Sequence, residues 1–311
     1  MQTREAGGLF CLSAHHKFDR TLSPLKLANV TTEGAGSFRM AVHAPRGPRQ
    51  DTVSRVLLRD GRWEISSVDD IARMAANCSS AKAPRRGTFV DIGANIGYYS
   101  FLLAASGYDV LSVEPMGFNR RAFEATQCYN PELRERTRLV ATALGRPGAR
   151  GPCYIRSQNR LNQGNGVLRC ADASADGEPA QPCQSAQNRS DQLACEEVPL
   201  QTLDEVLRAA QLSAATIVKI DTEGFECVVL EGAQSLFRQL RPSFILYEGQ
   251  FPHVDACMTQ QARAHGYLKS APYHGFQKDT VLYLPEAVRG MRRGCHDAGG
   301  HKRDAKESLE T

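Results

Sequence analysis

The sequence of 311 residues has no long apolar run. No stretch approaches the ~20 residues that a membrane-spanning helix needs, so we expect no membrane contact. The first twenty residues also lack the apolar segment of a secretory signal. A cytoplasmic location is therefore favoured, and the secretory lumen is the alternative if a targeting segment precedes this sequence. The N-terminal segment instead holds charged and titratable residues: Arg4, Glu5, His15, His16, Lys17, Asp19 and Arg20.

A large excess of either charge is also missing. The chain holds 38 Lys and Arg against 34 Asp and Glu, which gives a net charge of +4. An excess this small does not indicate a nucleic-acid partner, and we predict none. With 41% hydrophobic and 23% charged residues, the composition is that of a globular protein. The length favours one large domain with appendages and leaves the oligomeric state open.

The ten cysteines include no C-x-x-C pair, which argues against zinc-ribbon and thioredoxin-like sites. No cluster has metal-ligand spacing, so we predict no structural metal. The cysteine number and the N-x-[ST] triplets at Asn29, Asn77 and Asn188 would fit secretory passage. Cys227 and Cys257 lie on predicted helices, where we expect core thiols. Disulfides and free thiols are equal alternatives for four others: Cys153, Cys170, Cys183 and Cys195.

Turn-forming and polar stretches divide the chain into four parts. Residues 1–36 show little periodicity and are expected to be loose, and residues 37–83 form a small β/α lead-in. Within this lead-in, Thr52–Leu58 is predicted as a strand, and Ser67 with Asp70 predicts the start of a helix. Residues 84–286 are the main domain, with a polar, partly disordered insertion at about 145–197. Residues 287–311 are expected to be a disordered tail.

From Thr88 onward, strand-like runs alternate with helical periodicity. Thr202 and Glu205 form a capping box that predicts a helix start, and Phe225–Leu240 is predicted as one helix. The alternation predicts an α/β fold with a mostly parallel sheet covered on both faces. The predicted strands are Thr88–Ile92, Asp109–Val113, Arg138–Ala143, Thr216–Asp221, Phe244–Tyr247 and Thr280–Leu284.

The strongest local signal is the loop Asp91-Ile92-Gly93-Ala94-Asn95-Ile96-Gly97, which links a strand to a helix. Glycines there allow the backbone to approach a ligand, and the helix N–H groups point towards it. The dinucleotide fingerprint G-x-G-x-x-G is missing. Glu114 ends the next strand, 23 residues after Asp91, where a carboxylate can accept ribose hydroxyls. We expect a ligand with a ribose and, beside Asp91, a positive group rather than a phosphate, and S-adenosylmethionine fits both requirements.

Three segments, in this order, resemble the motifs of the FkbM-type methyltransferases. They are Phe89-Val90-Asp91-Ile92-Gly93-Ala94-Asn95-Ile96-Gly97-Tyr98-Tyr99-Ser100, then Val113-Glu114-Pro115, then Leu203-Asp204-Glu205 with Val218-Lys219-Ile220-Asp221-Thr222-Glu223-Gly224-Phe225-Glu226 and Val229-Leu230-Glu231-Gly232-Ala233. The resemblance covers roughly Phe89 to Leu284. It implies a class I methyltransferase fold of the α/β class, Rossmann-like and doubly wound, with a mostly parallel seven-stranded sheet. It also implies methyl transfer from S-adenosylmethionine, usually to an oxygen acceptor. The stretch around 170–195 is long for the family and leaves the acceptor open.

The motifs indicate candidate residues for catalysis and for cofactor binding. A base that takes the acceptor's proton would assist transfer to a hydroxyl, and the candidates at strand ends are Asp221, Glu223, Glu248 and His253. Lys219 is expected on the same face as Asp221, and Glu226 on the surface. A loosely bound Mg²⁺ between Asp221 and Glu248 is an alternative. The predicted cofactor-binding residues are Asp91, Gly93, Ala94, Asn95, Gly97, Tyr98, Glu114 and Pro115.

The leading hypothesis is a methyltransferase that acts on a hydroxyl of a small-molecule or carbohydrate acceptor. A nicotinamide-dependent oxidoreductase is the enzymatic alternative, although the pyrophosphate loop that it needs is missing. A non-enzymatic binder of an acidic polymer is the third hypothesis, and it would use the arginine-rich stretch Arg134–Arg169. The acidic stretch that follows opposes this last hypothesis.

Overall fold

The computed structural model describes residues 24–45, 51–149, 151–157, 162, 164–171, 182–183, 195–271, 279–291 and 295. The predicted loose segment before residue 24, the triplet at Asn188 and the tail after residue 295 lie outside these ranges. None of the described helices is both long and apolar enough to cross a membrane.

Fourteen strands occur in the described residues, in the positions where β-branched and aromatic residues cluster. In chain order they are β1 (Leu25–Thr32), β2 (Gly36–His43), β3 (Thr88–Ile92), β4 (Asp109–Val113), β5 (Thr137–Val140), β6 (Ala143–Leu144), β7 (Cys153–Ser157), β8 (Gly166–Cys170), β9 (Cys195–Val198), β10 (Leu200–Gln201), β11 (Ile217–Ile220), β12 (Phe244–Glu248), β13 (Leu268–Lys269) and β14 (Asp279–Tyr283).

The helices of the described ranges connect and cover these strands. In chain order they are α1 (Thr52–Asp60), α2 (Asp69–Ala76), α3 (Tyr98–Ala105), α4 (Gly117–Tyr129), α5 (Pro131–Arg134), α6 (Leu203–Ala209), α7 (Glu226–Glu231), a π-helical turn (Leu236–Leu240), α8 (Pro252–His265) and α9 (Pro285–Arg289).

A mixed seven-stranded sheet forms the centre, in the order β13-β14-β12-β11-β3-β4-β5. Neighbours from β12 to β5 pair in parallel, whereas β14 runs antiparallel to both β12 and β13. From β3 the chain moves outwards through β4 to β5 and later returns to β11 on the other side of β3. Open α/β sheets bind ligands at the carboxyl ends of strands where the order reverses in this way. The fold therefore places a crevice at the ends of β3, β4 and β11.

Both faces of the sheet are covered, because successive strand residues belong to different apolar clusters. Phe89 and Ile217 point into the cluster that holds β1, β2, α2 and α3. Val90 and Val218 point into the opposite cluster, with α6 and α8. The alternation follows from the two-residue period of a strand. The lead-in before β3 therefore shares the core of the main domain.

The lead-in differs from the sequence-based expectation in two places. Residues 25–32, expected to be loose, form β1 and pair antiparallel with β2. The predicted strand at Thr52–Leu58 is wrong, because these residues form α1. A capping signal outweighs the β-branched residues there: the Asp51 carboxylate accepts the Ser54 N–H at 2.8 Å, and Gly61 ends the helix in the left-handed region.

The helix start expected at Ser67 and Asp70 is present. The Asp70 carboxylate accepts the Ser66 and Ser67 backbone N–H groups at 2.9 and 3.1 Å, just before α2. The predicted single helix Phe225–Leu240 is divided instead into α7 and the π-helical turn. Asp204 accepts the N–H groups of Gln234 and Ser235 at 3.0 and 2.9 Å and so caps the second piece.

The insertion carries a small sheet of its own, in the order β8-β7-β9, with both pairings antiparallel. Disulfides join Cys153 to Cys170 and Cys183 to Cys195, which resolves the alternative left open by the sequence. Ile155 and Val198 pack against Met116 at the start of α4. The described parts of the insertion are thus tied to the main domain beside the predicted site.

Two further disulfides correct expectations about the cysteines and the tail. Cys227 and Cys257 are not core thiols but join α7 to α8. Cys295, in the segment expected to be disordered, is joined to Cys78 across a sequence separation of 217 residues. Before it, residues 285–289 form α9 rather than a loose tail. The Cys78–Cys295 disulfide therefore attaches residue 295 covalently to the lead-in.

Candidate active site

A cleft of about 270 Å³ opens at the carboxyl ends of β3, β4, β11 and β12. Its volume is close to the lower end of ligand-binding pockets, roughly 300 Å³. Nine of the twelve predicted site residues line it. They are Gly93, Ala94, Asn95, Tyr98, Glu114, Pro115, Asp221, Glu223 and Glu248.

The glycine loop forms the floor of the cleft. Gly93 has a φ of +79°, and the N–H groups of Gly93 and Ala94 both donate to the Val113 carbonyl at 2.9 and 3.1 Å. A Cβ atom on Gly93 would lie 1.8 Å from the Asp221 carbonyl oxygen. Only glycine permits both the left-handed backbone and this approach. The loop therefore fits tightly between the ends of β4 and β11.

Glu114 joins this loop to the segment that follows β4. Its two carboxylate oxygens accept the backbone N–H groups of Asn95 and Met116, each at 2.8 Å. Burial raises the pKa of Glu114 to about 7, against the lowering effect of these hydrogen bonds. The Asn119 amide also donates to Oε1 at 3.5 Å, so Oε2 is the oxygen that keeps capacity to accept a further hydrogen bond from a hydroxyl.

Asp91 lies beneath the cleft rather than in its lining. It is 1% exposed, and its Oδ2 accepts the Ser100 hydroxyl at 2.5 Å. Lys219 is its register partner on β11, and the ammonium charge opposes the rise that burial causes in the pKa of Asp91. The sequence predicted that a positive group of the ligand would lie beside Asp91, whereas the structure places the Lys219 ammonium of the chain itself there.

Tyr98 is almost fully buried at the start of α3, and its hydroxyl donates to the Ile65 carbonyl at 2.7 Å. Gly97 precedes it with a φ of +92° and packs against Phe123, so it shapes the helix start without lining the cleft. Of these two predicted cofactor-binding residues, Tyr98 lines the cleft and Gly97 does not, and the main contacts of both are with the core.

Lys219 and Asp221 share a face, as their two-residue spacing predicts, and Nζ lies 2.6 Å from Oδ2. The ammonium also lies 4.8 Å from the centre of the Tyr99 ring, whose hydroxyl donates to Glu64 at 2.8 Å. Glu64 was not among the site residues predicted from the sequence. The only indication in the sequence was its position next to Trp63. Both residues belong to the lead-in, and the lead-in packs over this edge of the sheet.

Glu223 lines the cleft from the turn that follows β11. It has a φ of 57°, which holds a side-chain-bearing residue in the left-handed region at the lip of the cleft. Burial, together with the charges of Asp221 and Glu248, raises its pKa to about 7. The same causes, burial first and then Glu64, raise the pKa of Asp279 to about 7. Four carboxylates therefore line this part of the cleft: Glu64, Asp221, Glu223 and Glu248.

Two predictions, about His253 and Glu226, differ from the structure. His253 is exposed, does not line the cleft, and places Nε2 3.2 Å from the Gly224 carbonyl. Glu226 is not on the surface: it is fully buried, and Oε1 accepts the N–H groups of Thr222 and Gly224 at 2.8 and 3.3 Å. Glu226 therefore shapes the turn that presents Glu223.

The insertion supplies one wall of the cleft, which the sequence analysis did not predict. Asn162, Gly164 and Asn165 line it. The Asn119 amide donates to the Gly164 carbonyl at 2.8 Å, and the Gly164 N–H donates to Asp51 at 3.3 Å. The lead-in, α4 and the insertion therefore meet over the glycine loop. Among the described side chains, no group of three or more His, Cys, Asp or Glu has the arrangement of a metal site.

The comparisons with known proteins give one family match. A family model described as the methyltransferase FkbM domain matches residues 91–276. No curated protein matches the chain in sequence.

Three solved structures with a similar fold are distant in sequence. One is the METTL16 MTase domain, 12% identical with a TM-score of 0.42, covering 79% of this chain and 73% of that chain. A second is a precorrin-6y C5,15-methyltransferase from Geobacter metallireducens, 9% identical with a TM-score of 0.38, covering 71% and 89%. A third is an rRNA methylase from Streptococcus thermophilus, 9% identical with a TM-score of 0.36, covering 72% and 97%.

The family match spans more than half of the chain and contains the glycine loop, Glu114 and the Asp221–Glu223 turn. The chain therefore belongs to the FkbM methyltransferase family and is a methyltransferase.

Proposed function

We propose that this enzyme transfers the methyl group of S-adenosylmethionine to a hydroxyl oxygen of a small-molecule or sugar-like acceptor. The observation that carries the proposal is that the cleft joins two chemically different groups of residues. The glycine loop and Glu114 follow β3 and β4, and we call them the donor end; Glu223 follows β11 and Glu248 ends β12, and we call them the acceptor end.

The donor end suits a ligand that has a ribose and no phosphate. Lys219 is the one basic side chain among the described lining residues, and Asp221 pairs with it. A phosphate would find no free cation there and would meet the Glu114 carboxylate. Glu114, Asn95 and Pro115 would hold the ribose side, with Ala94 and the backbone of Gly93 against the adenosyl group. The oxidoreductase and polymer-binding alternatives lose support, since the chain is a methyltransferase.

The acceptor end suits proton removal from a hydroxyl. S-adenosylmethionine, when bound, supplies a methyl carbon that is already electrophilic. Glu223 would accept the hydroxyl proton, because a general base works best when its pKa is near the working pH. Asp221 would position Lys219 and keep the pKa of Glu223 raised, and Glu248 would contribute to the same effect. His253 lies outside the cleft lining, so the geometry does not favour it as the base.

Transfer from methyl-labelled S-adenosylmethionine to a panel of hydroxyl-bearing acceptors, read by mass spectrometry, tests the proposal. We expect label on an acceptor oxygen with the unchanged chain. Glu223→Gln should lower kcat by about 100-fold or more, the typical contribution of a general base, with little change in KM for the donor. Label on nitrogen or carbon, or an unchanged kcat for Glu223→Gln, would contradict the proposed reaction or the proposed base respectively.

A further inference from the structure

All nine cysteines of the described ranges are disulfide-bonded. The bonds occur in every part of the fold: Cys78–Cys295 joins the lead-in to the far end of the chain, and Cys227–Cys257 joins two helices of the main domain. Disulfides persist in oxidising compartments and are rare where glutathione and thioredoxin keep thiols reduced. The pairing of all nine described cysteines therefore favours the secretory lumen over the cytoplasm, the two locations that the sequence leaves open.

An independent observation is the placement of an N-x-[ST] triplet in β1. Asn29 and Thr31 are both exposed, and they alternate with the buried residues Ala28 and Val30. Residues two apart on a strand point to the same side, so the Asn29 amide and the Thr31 hydroxyl share the exposed face. Both groups of the glycosylation triplet thus lie in solvent.

The second triplet lies at the end of α2. Asn77 is the C-cap of that helix, with a φ of 50°, and both Asn77 and Ser79 are exposed. The residue between them, Cys78, is buried and forms the disulfide to Cys295. The side chain of Asn77 can therefore carry a large substituent without disturbing the core. Neither asparagine lines the cleft, so substituents at both positions would leave it open.

We propose that Asn29 and Asn77 carry N-linked glycans and that the enzyme folds in an oxidising secretory compartment. In this modification the side-chain amide nitrogen forms a bond to the anomeric carbon of a sugar. The donor is a lipid-linked glycosyl pyrophosphate: its sugar–phosphate bond breaks, the lipid pyrophosphate leaves, and the amide loses one proton. Each disulfide forms when two thiols give two electrons and two protons to a disulfide-carrying oxidoreductase.

The test uses the full chain isolated without reductant from the cells that produce it. Peptide N-glycosidase in ¹⁸O water should convert Asn29 and Asn77 to ¹⁸O-labelled aspartate, whereas Asn130, which is buried and has no triplet, should stay asparagine. Alkylation of the unfolded, unreduced chain should label no thiol among the described cysteines. Unmodified Asn29 and Asn77, or free thiols, would overturn the proposal.

A matched pair of variants, Thr31→Val and Thr31→Ser, separates modification from folding effects. Both residues are tolerated at an exposed strand position, but only serine preserves the triplet. We expect Thr31→Val to remove the mass shift at Asn29 and Thr31→Ser to keep it, with Asn77 modified in both. Persistence of the shift in Thr31→Val would overturn the assignment at Asn29. None of these outcomes depends on the methyl acceptor, so they are distinguishable from failure of the proposed reaction.

Discussion

Replacing Gly93 by alanine tests the packing of the glycine loop, and Gly148 provides a matched control. The two glycines have nearly the same φ, +79° and +77°. A Cβ on Gly93 would lie 1.8 Å from the Asp221 carbonyl oxygen, whereas a Cβ on Gly148 would meet no atom within 4 Å. The pair therefore separates the cost of the left-handed backbone from the cost of the close approach.

The expected magnitudes follow from this geometry. The left-handed backbone alone should cost each alanine variant about 1–2 kcal/mol. At Gly93 the Asp221 carbonyl must also retreat by about 1 Å or more, since a Cβ contact below 3.0 Å is essentially never seen. Such overpacking costs about 1–3 kcal/mol, and loss of the 3.0 Å bond from Asp221 N–H to the Ile92 carbonyl adds about 1 kcal/mol. Gly93→Ala should therefore lower the free energy of unfolding by about 3–6 kcal/mol, against about 1–2 for Gly148→Ala.

Urea unfolding under non-reducing conditions measures both values, with the slope checked for agreement between variants. Gly93→Ala should also weaken donor binding, because the displaced carbonyl belongs to the residue that holds Lys219. If the two variants lost the same free energy within about 0.5 kcal/mol, the contact between the loop and β11 would not exist as described.

Three further results are expected. The value of kcat should rise with pH to a plateau above about 7, as Glu223 loses its proton, and Glu248→Gln should move this rise to lower pH by removing a neighbouring negative charge. A rise that stays in place in Glu248→Gln would exclude this coupling. Burial lowers the pKa of His43 to about 4, below its unfolded value, so its contribution to stability is present above pH 6.5 and is lost as pH falls towards 4. The free energy of unfolding should therefore fall less between pH 7 and 4.5 in His43→Gln than in the unchanged chain, by up to about 3 kcal/mol in urea titrations, and equal falls would contradict it. Replacing Cys153 and Cys170 together by serine should weaken donor binding in calorimetry, because this pair closes the hairpin whose turn lines the cleft, and unchanged affinity would show that the wall is dispensable.

The central sheet and the part of the cleft around the glycine loop were predictable from local patterns. The loop at Gly93 and the carboxylate of Glu114 each follow a strand that the sequence pattern predicts. The carboxyl ends of parallel strands meet at one edge of the sheet. Lys219 and Asp221 followed from the two-residue period of a strand. These predictions needed only short-range information and one rule of sheet topology.

The errors arose where a local signal competes with contacts distant in sequence. Thr52–Leu58 looks like a strand because it is rich in β-branched and apolar residues, but Asp51 caps it as a helix. Glu226 looks like a surface residue of a helix, but its carboxylate satisfies the N–H groups of the preceding turn. A buried, hydrogen-bonded carboxylate cannot be told from an exposed one by spacing alone.

Other parts of the cleft could be recognised only in the folded chain. Glu64 and Asn119 reach the cleft from separate elements, and the Asn119 contact to Gly164 spans 45 residues. The disulfide pairing could not be predicted from the sequence either, because cysteine spacing does not determine connectivity. The raised pKa of Glu223 depends first on burial and then on neighbouring carboxylates, and both arise only in three dimensions.

Donor binding is the most direct test of the proposal that the glycine loop and Glu114 hold S-adenosylmethionine. Isothermal titration at pH 8, above the pKa of Glu114, should show one site per chain, and Glu132→Gln at an exposed position of α5 should bind equally well. Glu114→Gln should weaken binding by about 10- to 100-fold, the effect of losing a hydrogen bond to a charged group, without a matching loss in the urea midpoint. Absence of binding by the unchanged chain, or equal affinity in Glu114→Gln, would contradict the account.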